Sequence, residues 1–174
     1  MLSHFERMMS AALESLLVDI EPGHNRWEQY LTLYIDRNGE AAQTGSSSAS
    51  LRRQPVAVFL HAHGRDGRIL LRCVSPIGVL STSDFAKIMD LHLLNDRGGK
   101  AKICSILDPR ADTYNFTVEA DILFNSSTTQ EQEVRDMILT TIRQADHLEY
   151  ELLPDRDRTM EEFRKDLIEE PHRE

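Results

Sequence analysis

The sequence has few of the features that usually identify membrane proteins and nucleic-acid-binding proteins. Only 6% of its 174 residues are aromatic, and acidic residues outnumber basic ones by 29 to 20, for a net charge of −9. A nucleic-acid-binding surface needs clustered positive charge to displace counterions, so this balance argues against one. No apolar run approaches the roughly 20 residues of a membrane span. We therefore expect neither nucleic acid nor a membrane among the partners.

Catalytic and metal-binding motifs are also missing from the sequence. It contains no GxSxG, HExxH or GxxxxGK[ST] segment, so we predict that the protein is not an enzyme and takes no cofactor. His61 and His63 are two apart on a predicted strand and share one face, but no third ligand is placed to complete a metal site. Solvated histidines beside a turn are the simpler interpretation, and we predict no metal.

The two cysteines and the N-terminus both bear on the compartment. Cys73 and Cys104 lie in apolar stretches without CxxC or histidine spacing, which favours free buried thiols in a reducing environment. The N-terminus carries acidic residues and a helical pattern where a signal peptide would have a basic start and an apolar run. We expect a cytoplasmic protein.

Helical periodicity is present in three long segments and one short one. Apolar residues recur at helical spacing in residues 3–18, in the segment that ends at Gly98-Gly99, and after the capping residues Thr128 and Thr129. The third helix is predicted to bury Val134, Ile138, Thr141, Ile142 and Ala145. A thin stripe of Met160, Phe163 and Leu167 predicts a C-terminal amphipathic helix that lies on the surface.

Alternating and β-branched segments predict about five strands. They cover residues 27–36, 55–63, 68–74, 100–107 and 114–124. Turn residues typical of hairpins join the second predicted strand to the third and the fourth to the fifth. A small, polar, serine-rich stretch at residues 38–54 predicts a flexible loop. The result is an α+β domain over residues 1–154, with an antiparallel sheet and the order α-β-β-β-α-β-β-α, followed by a charged extension at 155–174.

The middle helix is apolar on more than one face. Phe85, Ile88, Met89, His92 and Leu93 form the stripe that we expect to be buried. Leu91 and Leu94 fall outside that stripe. Either they form a contact between two copies of the chain, or the two faces of the sheet absorb them.

This element order, together with three stretches of sequence, resembles the type III secretion chaperone-like fold, which includes CesT-type chaperones and YbjN-type domains. The stretches are the amphipathic opening helix at 5–17, GRILLRCVSPIGVLSTSDFAKIMDLHLLN in the middle, and FTVEADILFNSSTTQEQEVRDMILTTIRQADHLEYEL near the end. Together they span residues 3–153. The serine-rich loop and the charged segment after Pro154 are additions to the usual pattern of this fold.

The resemblance implies a non-enzymatic, dimeric, cytoplasmic protein that holds a non-globular segment of a client by strand addition and side-chain pockets. The apolar positions that we expect to contact the client are Leu31, Leu33, Ile35, Val58 and Leu60. The middle helix and the strand after it are where secretion chaperones of this type pair, so the expected dimer contacts are Ile88, Leu91, Leu94, Ile103 and Ile106. A YbjN-like sensory or regulatory domain that binds a folded partner is the alternative.

Overall fold

The computed structural model describes residues 2–46, 50–63, 68–94, 101–125, 127–152 and Phe163. Within these residues the fold is α+β, as predicted, with three helices and a six-stranded antiparallel sheet. The elements in chain order are α1 (Leu2–Ala12), β1 (Val18–Pro22), β2 (Glu28–Ile35), β3 (Arg52–His63), β4 (Arg68–Ser81), α2 (Phe85–Leu94), β5 (Lys102–Asp108), β6 (Thr113–Leu123) and α3 (Glu131–Leu152).

The sheet has the strand order β1-β2-β3-β4-β6-β5, so β1 and β5 are its two edges. Each neighbouring pair is antiparallel, and directly paired residues place their side chains on the same face. In the chain, α2 connects β4 to β5. In the sheet, β6 lies between β4 and β5 and pairs with both. The predicted order of helices is therefore confirmed, whereas the predicted number of strands is one too few.

The strand absent from the prediction is β1. The opening helix ends at Ala12, and a turn through Ser15, whose φ is +65°, leads into the strand. The predicted helix to residue 18 was therefore too long. Leu13 and Leu16 are nevertheless buried, because the turn keeps them on the side of the core. Apolar residues keep helical spacing past the end of α1, so the sequence pattern did not indicate β1, which has only five residues.

The β4 strand is longer than predicted, because it does not end at Pro76. Pairing with β6 shifts by one residue between Pro76 and Gly78, which is a β-bulge, and then continues to Ser81. Ile77, the extra residue of the bulge, is fully buried. The bulge therefore accommodates the proline and still directs an isoleucine into the core.

One face of the sheet carries all three helices of the described residues. The predicted stripe of α3 is confirmed, since its five members are fully buried. They share the main core cluster with residues from α1, α2 and the sheet, including Phe5, Leu31, Cys73 and Val118. We call this the helix-covered face and the other the opposite face.

The described residues of the loop predicted at 38–54 are attached to the rest of the domain by main-chain hydrogen bonds. Residues 52–54 already belong to β3. Ala42 is buried, its N–H donates to the carbonyl of Tyr34, and Leu17 in turn donates to the carbonyl of Ala42. These contacts could not be predicted from the serine-rich composition, because they are made by the main chain and not by side chains. Residues 47–49 lie outside the described residues.

Two other predictions lie wholly or partly outside the described residues. The turn at 64–67 is one, although His63 and Arg68 on either side of it are paired as expected for a hairpin. The C-terminal amphipathic helix is the other, since only Phe163 of residues 153–174 is described. The second predicted hairpin, β5 to β6 through residues 108–112, is confirmed, with the Asp108 carboxylate accepting from the N–H groups of Arg110 and Ala111.

The burial of β2 can be tested with two leucine-to-alanine substitutions in strands. Leu31 is fully buried and Leu123 is 53% exposed. Leu31→Ala should lower the free energy of unfolding by about 2–5 kcal/mol, because it removes buried methyl groups and leaves a cavity. Leu123→Ala should change it by less than about 0.5 kcal/mol, since the side chain is already in contact with water. Urea denaturation measures both, and equal effects would contradict the assignment of faces.

Candidate protein-interaction surfaces

The α2 helix displays an apolar stripe to solvent. Phe85, Met89 and Leu93, at positions i, i+4 and i+8, are 67%, 42% and 56% exposed, and we call them the α2 stripe. Ile88 and Leu91, on the opposite side of the same helix, are buried in the main core. The stripe therefore points away from the domain.

The α2 stripe lies beside the edge strand β5. Ser105 on β5 and His92 on α2 approach to 3.4 Å, between Oγ and Nε2, and the His92 ring contacts Phe116 at 5.9 Å between centroids. Ser105 and Phe116 are directly paired, as are Leu107 and Tyr114, so Leu107 shares the face on which α2 sits. Leu107 is exposed as well, so the edge strand carries a further large apolar side chain on the same face as α2.

The expected dimer residues are mostly internal. Ile88, Leu91 and Ile103 are buried, and Leu94 and Ile106 are half-buried. Of the stripe that was expected to face the core, Ile88 is buried, whereas Phe85, Met89, His92 and Leu93 are exposed. Of the two leucines expected to be in surplus, Leu91 is buried and Leu94 is half-buried. Both sides of α2 are apolar, so periodicity alone could not choose between them.

The expected client-binding residues all lie on the helix-covered face. Leu31, Leu33, Ile35 and Val58 are fully buried in the main core, and Leu60 packs against it. Four of these side chains are buried in the protein's own core and Leu60 is half-buried, and their role in client binding stays a prediction. The alternation of apolar residues along β2 and β3 correctly predicted that these side chains share one face of the sheet. The helices cover that face, so it is not exposed to solvent.

The opposite face has its own small apolar cluster. Tyr30, Ala57 and Val74 are directly paired across β2, β3 and β4, and Phe59 lies two residues further along β3; we call these four the anchor patch. Phe163 packs on the patch and is only 1% exposed. This residue comes from the predicted C-terminal helix, and its spacing with Met160 and Leu167 was the only sequence signal for it.

Polar groups surround the anchor patch. The Tyr30 hydroxyl donates to the Glu28 carboxylate at 2.8 Å. Arg72, which pairs with Asp121 at 2.8 and 2.9 Å, lies on the same face one row from Val74, because Arg72 and Phe59 are directly paired. The patch is therefore a dry centre with a charged rim, the usual construction of a protein–protein contact.

A polar cleft of about 470 Å³ lies between α3 and the loop after β2. Its carboxylates are held by arginines of the protein: Arg52 binds Asp146 through two parallel hydrogen bonds, and Arg143 binds Glu40. Arg52 also stacks on Tyr150, with its guanidinium carbon 5.1 Å from the ring centroid. These pairs tie α3 to the β2–β3 connection, and this structural role accounts for the cleft.

The metal-binding potential of the histidines and the protonation of the two thiols can be read from their surroundings. No group of three or more His, Cys, Asp or Glu side chains in the part of the chain that the structure describes lies close enough to hold a metal ion. Burial raises the pKa of the Cys73 thiol to about 12. Burial, followed by the nearby Glu119 carboxylate, raises the pKa of Cys104 to about 11. Both groups are therefore thiols and not thiolates near neutral pH.

We expect both cysteines of the folded protein to react slowly with a thiol reagent at pH 8. The reactive species is the thiolate, and both pKa values lie above the ordinary 9.0. Alkylation should accelerate as the pH rises towards 11, with half-buried Cys104 reacting before Cys73, and both should react as free cysteine in guanidinium chloride. Mass spectrometry with a Cys104→Ser control assigns the sites. A thiol that reacts rapidly at pH 8 in the folded protein would contradict this.

No helix in the described ranges is long and apolar enough to cross a membrane. No protein-family model matches the sequence, and no curated protein matches it either.

Proposed function

We propose that this protein is a non-enzymatic adaptor or chaperone that works as a homodimer and holds a non-globular segment of a client protein. The observation that supports the proposal is the α2 stripe, with Leu107 beside it. Four large apolar side chains, each at least 42% exposed, lie on one helix and the adjoining edge strand. Contiguous apolar patches on a protein surface mark sites of association.

A second copy of the chain is the occupant that fits the α2 stripe. The stripe runs along nine of the ten residues of the helix, with Phe85 at one end, Leu93 at the other and Met89 at the centre. In a twofold antiparallel pair, Phe85 of each copy lies near Leu93 of the other, so the stripe is complementary to itself. Covering each of these side chains removes apolar area worth about 1.5–3 kcal/mol when burial is complete.

The client segment pairs with an edge of the sheet. Edge strands carry unpaired N–H and C=O groups that an extended chain can satisfy. The β1 edge is five residues long and ends in Pro22, which has no N–H to donate. The β5 edge has seven residues and no proline, which makes it the better template.

The alternative is a regulatory domain that binds a folded partner. The same α2 stripe would then be covered by a different protein, and the isolated chain would be a monomer. The state of the purified chain therefore separates the two proposals.

The dimer is tested by light scattering on a double substitution in the α2 stripe. Wild-type protein at tens of micromolar should have the mass of two chains, and Met89→Asp with Leu93→Asp should have the mass of one. Both side chains are exposed in the single chain, so the variant should keep its far-UV circular dichroism spectrum. Charges placed in an apolar interface are desolvated without partners, which weakens association strongly.

Lys87→Asp is the matched control for this experiment. Lys87 is an exposed residue of the same helix outside the stripe, and its substitution changes the net charge as much as the double variant does. The control should remain dimeric. A monomeric wild type, or a double variant that stays dimeric, would contradict the proposed interface.

The holding activity is tested with insulin, whose B chain aggregates when its disulfides are reduced. Cys73 and Cys104 are free thiols, so the reductant alters no disulfide of this protein. An equimolar amount of dimer should delay the increase in turbidity, because it shields extended apolar segments. Serum albumin at the same mass is the control. An unchanged aggregation curve together with a monomeric wild type would favour the regulatory alternative.

A further inference from the structure

The two edge strands of the sheet, β1 and β5, differ in how each would meet a copy of itself. Two copies of one strand can pair antiparallel about a twofold axis, and each residue then lies opposite the residue that is equally far on the other side of the centre. The centre of β5 is Ser105, the middle of its seven residues. The centre of β1 is Ile20, the middle of its five residues.

The β5 strand is complementary to itself in this register. Lys102 lies opposite Asp108 of the other copy at both ends of the pairing, so unlike charges meet twice. The residues between these ends, apart from Ser105, are apolar, and they also lie opposite one another: Cys104 with Ile106, and Ile103 with Leu107. Leu107, which is 44% exposed, thereby gains an apolar neighbour.

The same operation on β1 brings like charges together. Asp19 of each copy would lie opposite Glu21 of the other, and Pro22 has no N–H to donate to a partner strand. Like charges that are directly opposite destabilise a strand pair. Of these two edges, β5 is therefore the one whose sequence suits a second copy of the chain.

Both charged ends of β5 are available to a partner. Lys102 is exposed, and Glu119, its directly paired neighbour on β6, is already bound by Arg72. The two N–H groups that bind the Asp108 carboxylate both donate to Oδ1, which leaves Oδ2 for a lysine. Exposed charge pairs add little affinity, so these charges select the register and the α2 stripe supplies most of the binding.

One twofold axis can pair both the α2 stripe and the β5 edge. The joined strands place their helix-covered faces on the same side, so the two α2 helices lie together on one side of the joined sheet. The stripe is centred on Met89 and β5 on Ser105. His92 connects these centres, because it is less than one helical turn from Met89 and its Nε2 lies 3.4 Å from Ser105 Oγ.

We propose that the second copy held by the α2 stripe also covers the β5 edge with its own β5 strand, in the register that places Ser105 opposite Ser105. The inference rests on the proposed function, which assigns this edge to a client, and it states what occupies the edge before a client binds. A client segment opens this strand pair. It needs an apolar middle, a basic residue opposite Asp108 and an acidic residue opposite Lys102.

Disulfide trapping tests the register. The Cα atoms of the two Ser105 residues are about 4.5–5.5 Å apart in this pairing, a separation that a disulfide spans. Ser105→Cys in a Cys104→Ser background is oxidised with diamide at micromolar protein concentration and run on a non-reducing gel. It should form a covalent dimer, because the substitution replaces one oxygen by sulfur at the centre of the pairing.

Arg110→Cys in the same background is the matched control. Arg110 is exposed and lies in the turn after β5, so its substitution leaves every residue of the strand unchanged. It lies beyond Asp108, which is already about 20 Å from its counterpart in this register. The control should form at least about tenfold less covalent dimer. Equal trapping at both positions, or no trapping of a folded Ser105→Cys chain, would overturn the inference.

Reversal of one charge tests the pairing of the strand ends. Lys102→Asp, added to the Ser105→Cys chain, places like charges opposite each other twice and should slow trapping about fivefold or more at low salt. Lys102→Arg keeps the positive charge and should trap at the original rate. Unchanged trapping by the aspartate variant would contradict the proposed register.

Peptide competition tests the kind of client that the edge accepts. A peptide with the sequence of residues 102–108 and serine in place of Cys104, in large excess, should slow trapping of the Ser105→Cys chain. A peptide of the same composition with its two charged ends exchanged should slow trapping less, because it places like charges opposite Lys102 and Asp108. Equal effects of the two peptides would contradict the client preference.

Light scattering of the reduced proteins separates this inference from the proposed dimer. A chain that is dimeric when reduced but is not trapped at Ser105 contradicts the strand pairing alone. A chain that is monomeric when reduced but is trapped at Ser105, and not at Arg110, contradicts the α2 interface and supports the strand pairing.

Discussion

The packing of α3 across one face of the antiparallel sheet is the contact on which the rest of the structure depends. Five side chains of this helix are fully buried, and they join the core residues of α1, α2 and the sheet into one cluster. Because the three helices all lie on this face, the apolar residues of β2 and β3 that point there are fully used in folding. Side chains available to a partner therefore lie outside this cluster.

Two apolar surfaces remain outside that cluster, and they differ in kind. The α2 stripe is open to solvent and has a form complementary to itself, which suits a second copy of the chain. The anchor patch is already covered by Phe163, which belongs to a separate part of the same chain. The two surfaces therefore differ in what they expose: the α2 stripe presents apolar side chains to solvent, whereas the anchor patch is buried under Phe163.

The sequence predicted burial correctly where one side of an element is apolar and the other is polar, and it did not where both sides are apolar. The α3 helix has one apolar and one charged side, so its buried residues could be named correctly. The α2 helix is apolar on both sides, and only its packing against the main core cluster decides that Leu91 is buried and Leu93 exposed. Spacing identified Phe163 as part of a thin stripe, but its site on β2, β3 and β4 depends on contacts between residues far apart in the chain.

The proposal that the α2 stripe forms an interface between two copies is tested most directly by hydrogen–deuterium exchange at two protein concentrations. Exchange is compared at tens of micromolar and at tens of nanomolar, where a dimer of moderate affinity dissociates. If the α2 stripe is the interface, amides of residues 85–94 exchange faster after dilution, whereas those of α3 are unchanged. Identical exchange in residues 85–94 at both concentrations would contradict the proposed interface.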